Sequence, residues 1–363
     1  MLAILGLFGA MMAGLVADSM MGGMTDKPDT SDDNDEDAVD KTPDPGDADS
    51  DMLDWADDDS PVRDPSPMQN PATDSPDHPD YAVQSDDIVA VGDADLTASG
   101  GAADDIVLGE GGNDGLIGGG GDDQMSGRDG DDLMQGGAGV DLLHGGGGGD
   151  TLQGGTGNDL LEGEAGRDML FGGNGADVLH GHEGADGIYG GNGNDTVMGG
   201  GGNDRLDGAA GADWLAGGTG DDTMIGDAGH DTLDGGAGND LLIGADGRGA
   251  FPEMDFLNGG AGDDTLRLGA GDYATGGDGA DWFELTDHTA GGEIAQISDY
   301  NAAEDALVVV FDPHLHPDPQ LSLSTPDNSD DVVVSLDGVP LVLVQGGAGM
   351  SVDDFLLTPA QAA

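Results

Sequence analysis

Residues 190–208 read GGNGNDTVMGGGGNDRLDG. Glycine and aspartate return on a fixed schedule, and the apolar Val197 and Leu206 stand nine residues apart. Stepping by nine, all sixteen positions from Gly100 to Gly235 are glycine, and all sixteen from Asp105 to Asp240 are aspartate. The sixteen from Val107 to Leu242 are all Val, Leu, Met or Ile, and fifteen of the sixteen that begin at Ala103 are glycine. The unit is G-G-x-G-x-D-x-U-x with U apolar, and so strict a period marks a repeat architecture. Asp87 lies eighteen residues before Asp105, in register, and is expected to open the array. After Asp240 the run 244–259, GADGRGAFPEMDFLNG, carries six extra residues before Asp255; Asp264 follows nine later and Asp281 seventeen after that. These spacings predict one bulged turn and one shortened turn in a continuing stack.

Within one unit, GGxGxD cannot be helical, because glycine at three of six positions is costly there. It suits a tight turn with left-handed backbone angles. The remaining x-U-x is long enough for a very short strand. Two units make an eighteen-residue coil with a turn on each side and two strands facing each other, U residues inward. Parallel coils stack about 4.8 Å apart. Asp123 then lies between Asp105 and Asp141 on one edge, while Asp114, Asp132 and Asp150 line the other. Carboxylates stacked this closely repel and would unwind the coil. A hard cation between successive turns reverses the sign, since calcium takes 6 to 8 oxygen ligands at roughly 2.3–2.6 Å. Glycine keeps the turn small, aspartate supplies the charge, and the apolar residue closes a minimal core.

The bulk composition agrees. The chain has 363 residues, 75 of them acidic and 8 basic, with 72 glycines, no cysteine and a formal net charge of −67. That charge excludes nucleic acid and an anionic membrane surface as electrostatic partners and favours a cation. Without cysteine there are no disulfides, thiolate metal sites or cysteine nucleophile. The segment 1–24 opens with the apolar run MLAILGLFGAMMAGLVA, short for a bilayer span and without a basic residue before it. An export signal, a membrane-associating segment and a mobile hydrophobic end all remain open for it. Residues 25–84 are crowded with Asp and Pro and read as a disordered acidic tether, with a low-affinity calcium buffer as the second reading. Residues 85–284 form the repeat array. Residues 285–363 hold the β-type runs GEIAQISDY (292–300), DALVVVF (305–311), DVVVSL (331–336) and PLVLVQ (340–345), which predict a β-rich cap.

Units such as GGTGNDLLE (154–162) and GGAGNDLLI (235–243) resemble the repeats-in-toxin (RTX), or hemolysin-type, calcium-binding nonapeptide family. The resemblance covers over half of the chain. It implies an all-β, right-handed parallel β-roll with multiple Ca2+ ions in the turns. The ligand set it implies is Asp105, Asp114, Asp123, Asp132, Asp141, Asp150, Asp159, Asp168, Asp177, Asp186, Asp195, Asp204, Asp213, Asp222, Asp231, Asp240, Asp255, Asp264 and Asp281. It further implies secretion from a Gram-negative bacterium through a type I exporter, guided by an uncleaved C-terminal signal; the ending SVDDFLLTPAQAA (351–363) looks like such a terminus. The apolar N-terminus departs from this pattern, because type I export does not need one. The expected function is a secreted calcium-binding repeat protein that folds on calcium. The alternative is a surface adhesin or matrix protein built on the same roll.

Other chemistry is sparse. Asn113, Asn158, Asn194, Asn203 and Asn239, one place before the aspartates, are explained by turn stabilisation. The stretch HGHEGAD (180–186) is not a zincin motif, because Asp186 stands where the second histidine belongs. His314 and His316 in DPHLHPDP offer an H-x-H pair, but a solvated loop is the expectation. No G-x-S-x-G elbow and no phosphate-binding loop appears. Only about eighty acid- and proline-rich residues precede the array, and no Lys or Arg follows Arg267, so no enzymatic activity is expected. An ice-binding surface is disfavoured because the third position of the repeat is irregular, running Ala102, Gly111, Gly120, Asp129, Ala138, Gly147, Thr156, Ala165, Asn174.

Overall fold

In a computed structural model of the chain, the described residues are 81–82, 88–90, 95–244, 253–286 and 294–360. The apolar N-terminal segment, the acidic stretch up to residue 80, and Asp87 lie outside them. Regular structure here is all β apart from one 3-10 turn, Val352–Asp354. No helix among the described residues is long and apolar enough to cross a membrane. The strands form two fifteen-stranded sheets, and successive strands of the repeat alternate between them. Within each sheet the neighbours are parallel and offset by one coil: Met169–Asn174 pairs with Gly187–Asn192, matching Leu170 to Ile188. This is the parallel β-solenoid expected of a β-roll.

The strands of the array are mostly six residues long, as in Leu142–Gly147 and Thr151–Thr156, rather than the three expected. The ladder runs on into the next unit's glycines, pairing Gly137 with both Gly119 and Gly155. Gly137 holds φ 119°, and a Cβ there would strike the Gly119 carbonyl oxygen of the coil before. Any side chain at that angle is also strained. Glycine thus lets the backbones of adjacent coils approach closely enough to extend the sheet.

Between the sheets runs one column of apolar side chains. Leu143, Leu152, Leu161, Leu170, Leu179, Ile188, Val197 and Leu206 are fully buried. Strands alternate inward and outward, as in Thr151–Thr156, where Leu152 and Gly154 point in. Each coil contributes few large side chains, so burial within a single coil is too small to hold it, and neighbours must supply the rest.

The stack absorbs both irregularities. Thr232–Ala237 pairs with Phe256–Ala261, twenty-four residues on, and Phe256–Ala261 pairs with Tyr273–Asp278, seventeen on. The C-terminal strands then continue the same sheets. Ala306–Phe311 and Phe355–Pro359 extend one sheet in parallel. Ala295–Ile297 and Val339–Val344 extend the other, which ends in the antiparallel strands Val332–Leu336 and Leu321–Ser324. Two of these strands, Leu321–Ser324 and Phe355–Pro359, were not anticipated; their short runs, LSLS and FLLTP, lack the Val and Ile that mark the others.

Candidate metal centre

Each of the nineteen aspartates of that ligand set, Asp105 to Asp281, is at most 3 % exposed. They fall into two columns, one along each edge of the roll. On one edge the Asp114 amide donates to Oδ1 of Asp132 at 2.7 Å, and the Asp132 amide to Oδ1 of Asp150 at 2.8 Å. On the other, the Asp159 amide donates to Oδ1 of Asp177 at 2.8 Å, and the Asp177 amide to Oδ1 of Asp195 at 2.9 Å. The ladder crosses the bulged turn through Asp231 to Asp255 and Asp240 to Asp264, and the shortened turn through Asp264 to Asp281. One carboxylate oxygen per aspartate is therefore spent on the preceding coil's backbone.

The other oxygen is not. Oδ2 of the aspartates from Asp114 through Asp264 is buried and accepts no hydrogen bond. Backbone carbonyls share its space. A Cβ built on Gly154 would lie 2.5 Å from Oδ2 of Asp159 and 2.8 Å from the carbonyl oxygen of Gly172. The same pair recurs at Gly172, where the positions are 2.6 Å from Oδ2 of Asp177 and 2.5 Å from the Gly190 oxygen. The first glycine of the unit leaves this cradle open, and carboxylate and carbonyl oxygens converge on it with no donor between them. A buried acceptor cluster without a donor demands a cation or a proton.

The electrostatics say the same. Burial pushes the carboxyls of Asp159 and Asp213 up to about 7, with repulsion from the aspartates one coil away adding to it. Asp168 and Asp204 are raised to about 6 by the same causes. Asp255 reaches about 8, driven by burial and then by Asp272. These groups resist ionisation unless positive charge joins them.

Two members of the ladder escaped the nine-residue count. Asp272 is fully buried and accepts the Asp255 amide on Oδ1 at 3.1 Å. The signal was present in GAGDYATGG, a unit that has lost one residue. Asp305 accepts the Asp281 amide at 3.1 Å and carries the edge into the C-terminal strands. The five asparagines do stabilise turns: Oδ1 of Asn113, Asn158, Asn194, Asn203 and Asn239 each accepts an amide of the following coil at 2.9–3.1 Å. The H-x-H pair departs from expectation. His314 is exposed in a turn, whereas His316 is buried, with Nδ1 2.6 Å from Oδ2 of Asp337. His316 is thus part of the C-terminal packing, not of a solvated loop.

A family model described as the RTX calcium-binding nonapeptide repeat (4 copies) matches residues 84–116, 92–125, 117–152, 144–179, 153–188, 180–215, 189–224, 216–249 and 255–274. Together these matches span more than half of the sequence. The chain belongs to the RTX calcium-binding nonapeptide repeat family. It is accordingly a calcium-binding repeat protein, and the open Asp–Gly cradles fit the ion that its repeats bind. No curated protein sequence matches this RTX chain. Among solved structures, it is similar to the extracellular lipase LipA from Serratia marcescens at 17 % identity and a TM-score of 0.16, over 72 % of this chain and 40 % of the lipase. The RTX chain thus spans well under two thirds of that lipase, and the likeness carries no argument about activity.

Proposed function

We propose that the protein is secreted, stays unfolded where calcium is scarce, and folds outside the cell by binding calcium between successive coils. The supporting observation is the two columns of buried Oδ2 atoms without a donor, with glycine carbonyls beside them as at Asp159 and Asp177. In this reading the nineteen aspartates of the array and Asp272 supply carboxylate ligands, and turn carbonyls complete the shell. Each ion offsets like charges that would otherwise drive the coils apart. Eight regular aspartates on each edge leave seven gaps, so about fourteen ions bind in the regular part of the roll.

Because the cradles exist only when coils stack, binding free energy becomes folding free energy. Extracellular calcium modules bind at about 10⁻⁴–10⁻³ M, far above cytosolic free calcium. The chain therefore remains threadable inside the cell, which suits a type I exporter, and the ion itself triggers folding outside. The role in this reading is binding rather than catalysis, since the array is a run of structural repeats.

The test combines calorimetry with circular dichroism. In chelator the spectrum should be coil. Calcium should produce β-structure cooperatively with many ions per chain, and magnesium should not substitute because its small octahedral shell fits these turns poorly. A stoichiometry of one or two, or full β-structure in excess chelator, sinks the proposal.

A further inference from the structure

A second cluster of metal-binding side chains lies on the outer face of one sheet, away from the aspartate edges. Three adjacent strands, Leu142–Gly147, Leu160–Gly166 and Val178–Gly184, set His144, Glu162 and His180 side by side in register. One step along the same face, Glu164 pairs with His182. His144 Nδ1 is 2.5 Å from Oε2 of Glu162. One ligating atom each from His144, Glu162 and Glu164 fall within 4.8 Å of one another. His180 and His182 stack with ring centroids 3.5 Å apart. Nε2 of His182 is buried and has no hydrogen-bond partner.

Glu164 and His182 occupy the second glycine position of the repeat and hold φ 79° and 75°. Arg128, Ala209 and Asp227 take that position in other units at φ 79°, 68° and 71°, so the left-handed angle belongs to the repeat rather than to this cluster. It costs a non-glycine residue roughly 1–2 kcal/mol, and the consensus glycine would be free of that strain. Glu164 makes no salt bridge to Arg or Lys among the described residues, and the nearby Arg128 pairs with Glu110.

We propose that this face binds one borderline divalent transition ion such as zinc, with His144, Glu162 and Glu164 as ligands and His182 as the fourth. Zinc binds imidazole nitrogen and carboxylate oxygen at about 2.0–2.2 Å in tetrahedral array, which places ligand atoms about 3.3 Å apart. The donor atoms of His144, Glu162 and Glu164, within 4.8 Å of one another, lie within a rotamer change of that spacing, and His182 is the register partner of Glu164 on the next strand. Calcium is a poor occupant, because it takes oxygen ligands and half of this set is imidazole. The site is thus chemically distinct from the aspartate cradles.

The test uses the full chain in excess calcium, so that the roll is folded and the cradles are filled. Zinc is titrated in competition with a chromophoric chelator, and cobalt is substituted for its absorption bands. One tight ion is expected, with a tetrahedral cobalt spectrum. Glu164→Gly with His182→Gly restores the repeat's own glycines, so calcium-induced β-structure should be kept or improved. Zinc affinity should fall about tenfold or more, since even outer partners of metal ligands are worth 10–100-fold. His144→Gln removes one donor from the exposed face and should show the same loss. Wild-type zinc affinity in the glycine double variant or in His144→Gln, or no zinc binding by the wild type, overturns the proposal.

Discussion

Replacing Asp177 with Asn or with Ala separates the two jobs of an array aspartate. Oδ1 of Asp177 accepts the Asp159 amide at 2.8 Å, while Oδ2 is buried beside the Gly190 carbonyl without a partner. Asp177→Asn keeps an oxygen for the amide and replaces the charged atom with a neutral group. Asp177→Ala removes both and strands a buried N–H. Leaving such a donor unsatisfied costs about 1–3 kcal/mol. In saturating calcium both variants lose a charged ligand, and the Ala variant should be less stable than the Asn variant by that amount. For a folded unit of this size each kcal/mol lowers Tm by about 2–4 °C. The calcium midpoint is a poor readout: about 2 kcal/mol spread over some fourteen coupled ions shifts it by only about 1.3-fold. Thermal unfolding at fixed calcium, followed by circular dichroism, is the assay. In chelator the order changes, because Asp177→Asn removes a desolvated carboxylate whose pKa burial raises. That variant should hold more residual β-structure than wild type. Equal Tm for Asn and Ala in calcium would refute the amide ladder, and less structure for Asn than wild type in chelator would refute the buried-charge argument.

Two further outcomes follow from the same geometry. The array carboxyls sit above their ordinary value, at about 7 for Asp150 and Asp222 and about 6 for Asp195, so the calcium-free folded chain binds more protons than the unfolded chain between about pH 4 and 7. Its stability should therefore rise as pH falls through that window and be lost as pH rises through 6–7. Calcium-free protein is expected to gain β-structure at pH 5 that is absent at pH 8; equal spectra at both would count against it. Leu179 is fully buried in the single apolar column, so Leu179→Ala should cost about 2–5 kcal/mol in calcium. Hydrogen exchange should show the loss spreading to the coils of Leu161 and Val197, and a loss confined to one coil would contradict the nearest-neighbour picture.

Much of this was legible in the chain. The period of nine, its glycines and its apolar residue determine the solenoid, because no other backbone path buries every U residue and tolerates so much glycine. The same count places Asp105 through Asp240 on two edges. The alternating runs 305–311, 331–336 and 340–345 predict strands that the fold contains with shifts of a residue or so at their ends. Spacing alone also implies a cation, because identical carboxylates stacked about 5 Å apart need one. Asp272 was missed because a one-residue deletion moves it off the nine-residue count, while the hydrogen-bond ladder follows the coil and includes it.

Other features depend on contacts between coils, which linear order does not display. Which carboxylate oxygen is engaged and which is spare is decided by an amide eighteen residues away. His316 is buried in the fold and meets residue 337, twenty-one positions on, through its ring nitrogen. In HGHEGAD the residues next in sequence offer no zinc motif; the partners, His144, Glu162 and Glu164, arrive from the two preceding coils of the same sheet. Sequence determines the repeat because its chemistry is local and periodic. The tertiary structure decides these clusters because stacking makes residues eighteen apart nearer neighbours than residues five apart.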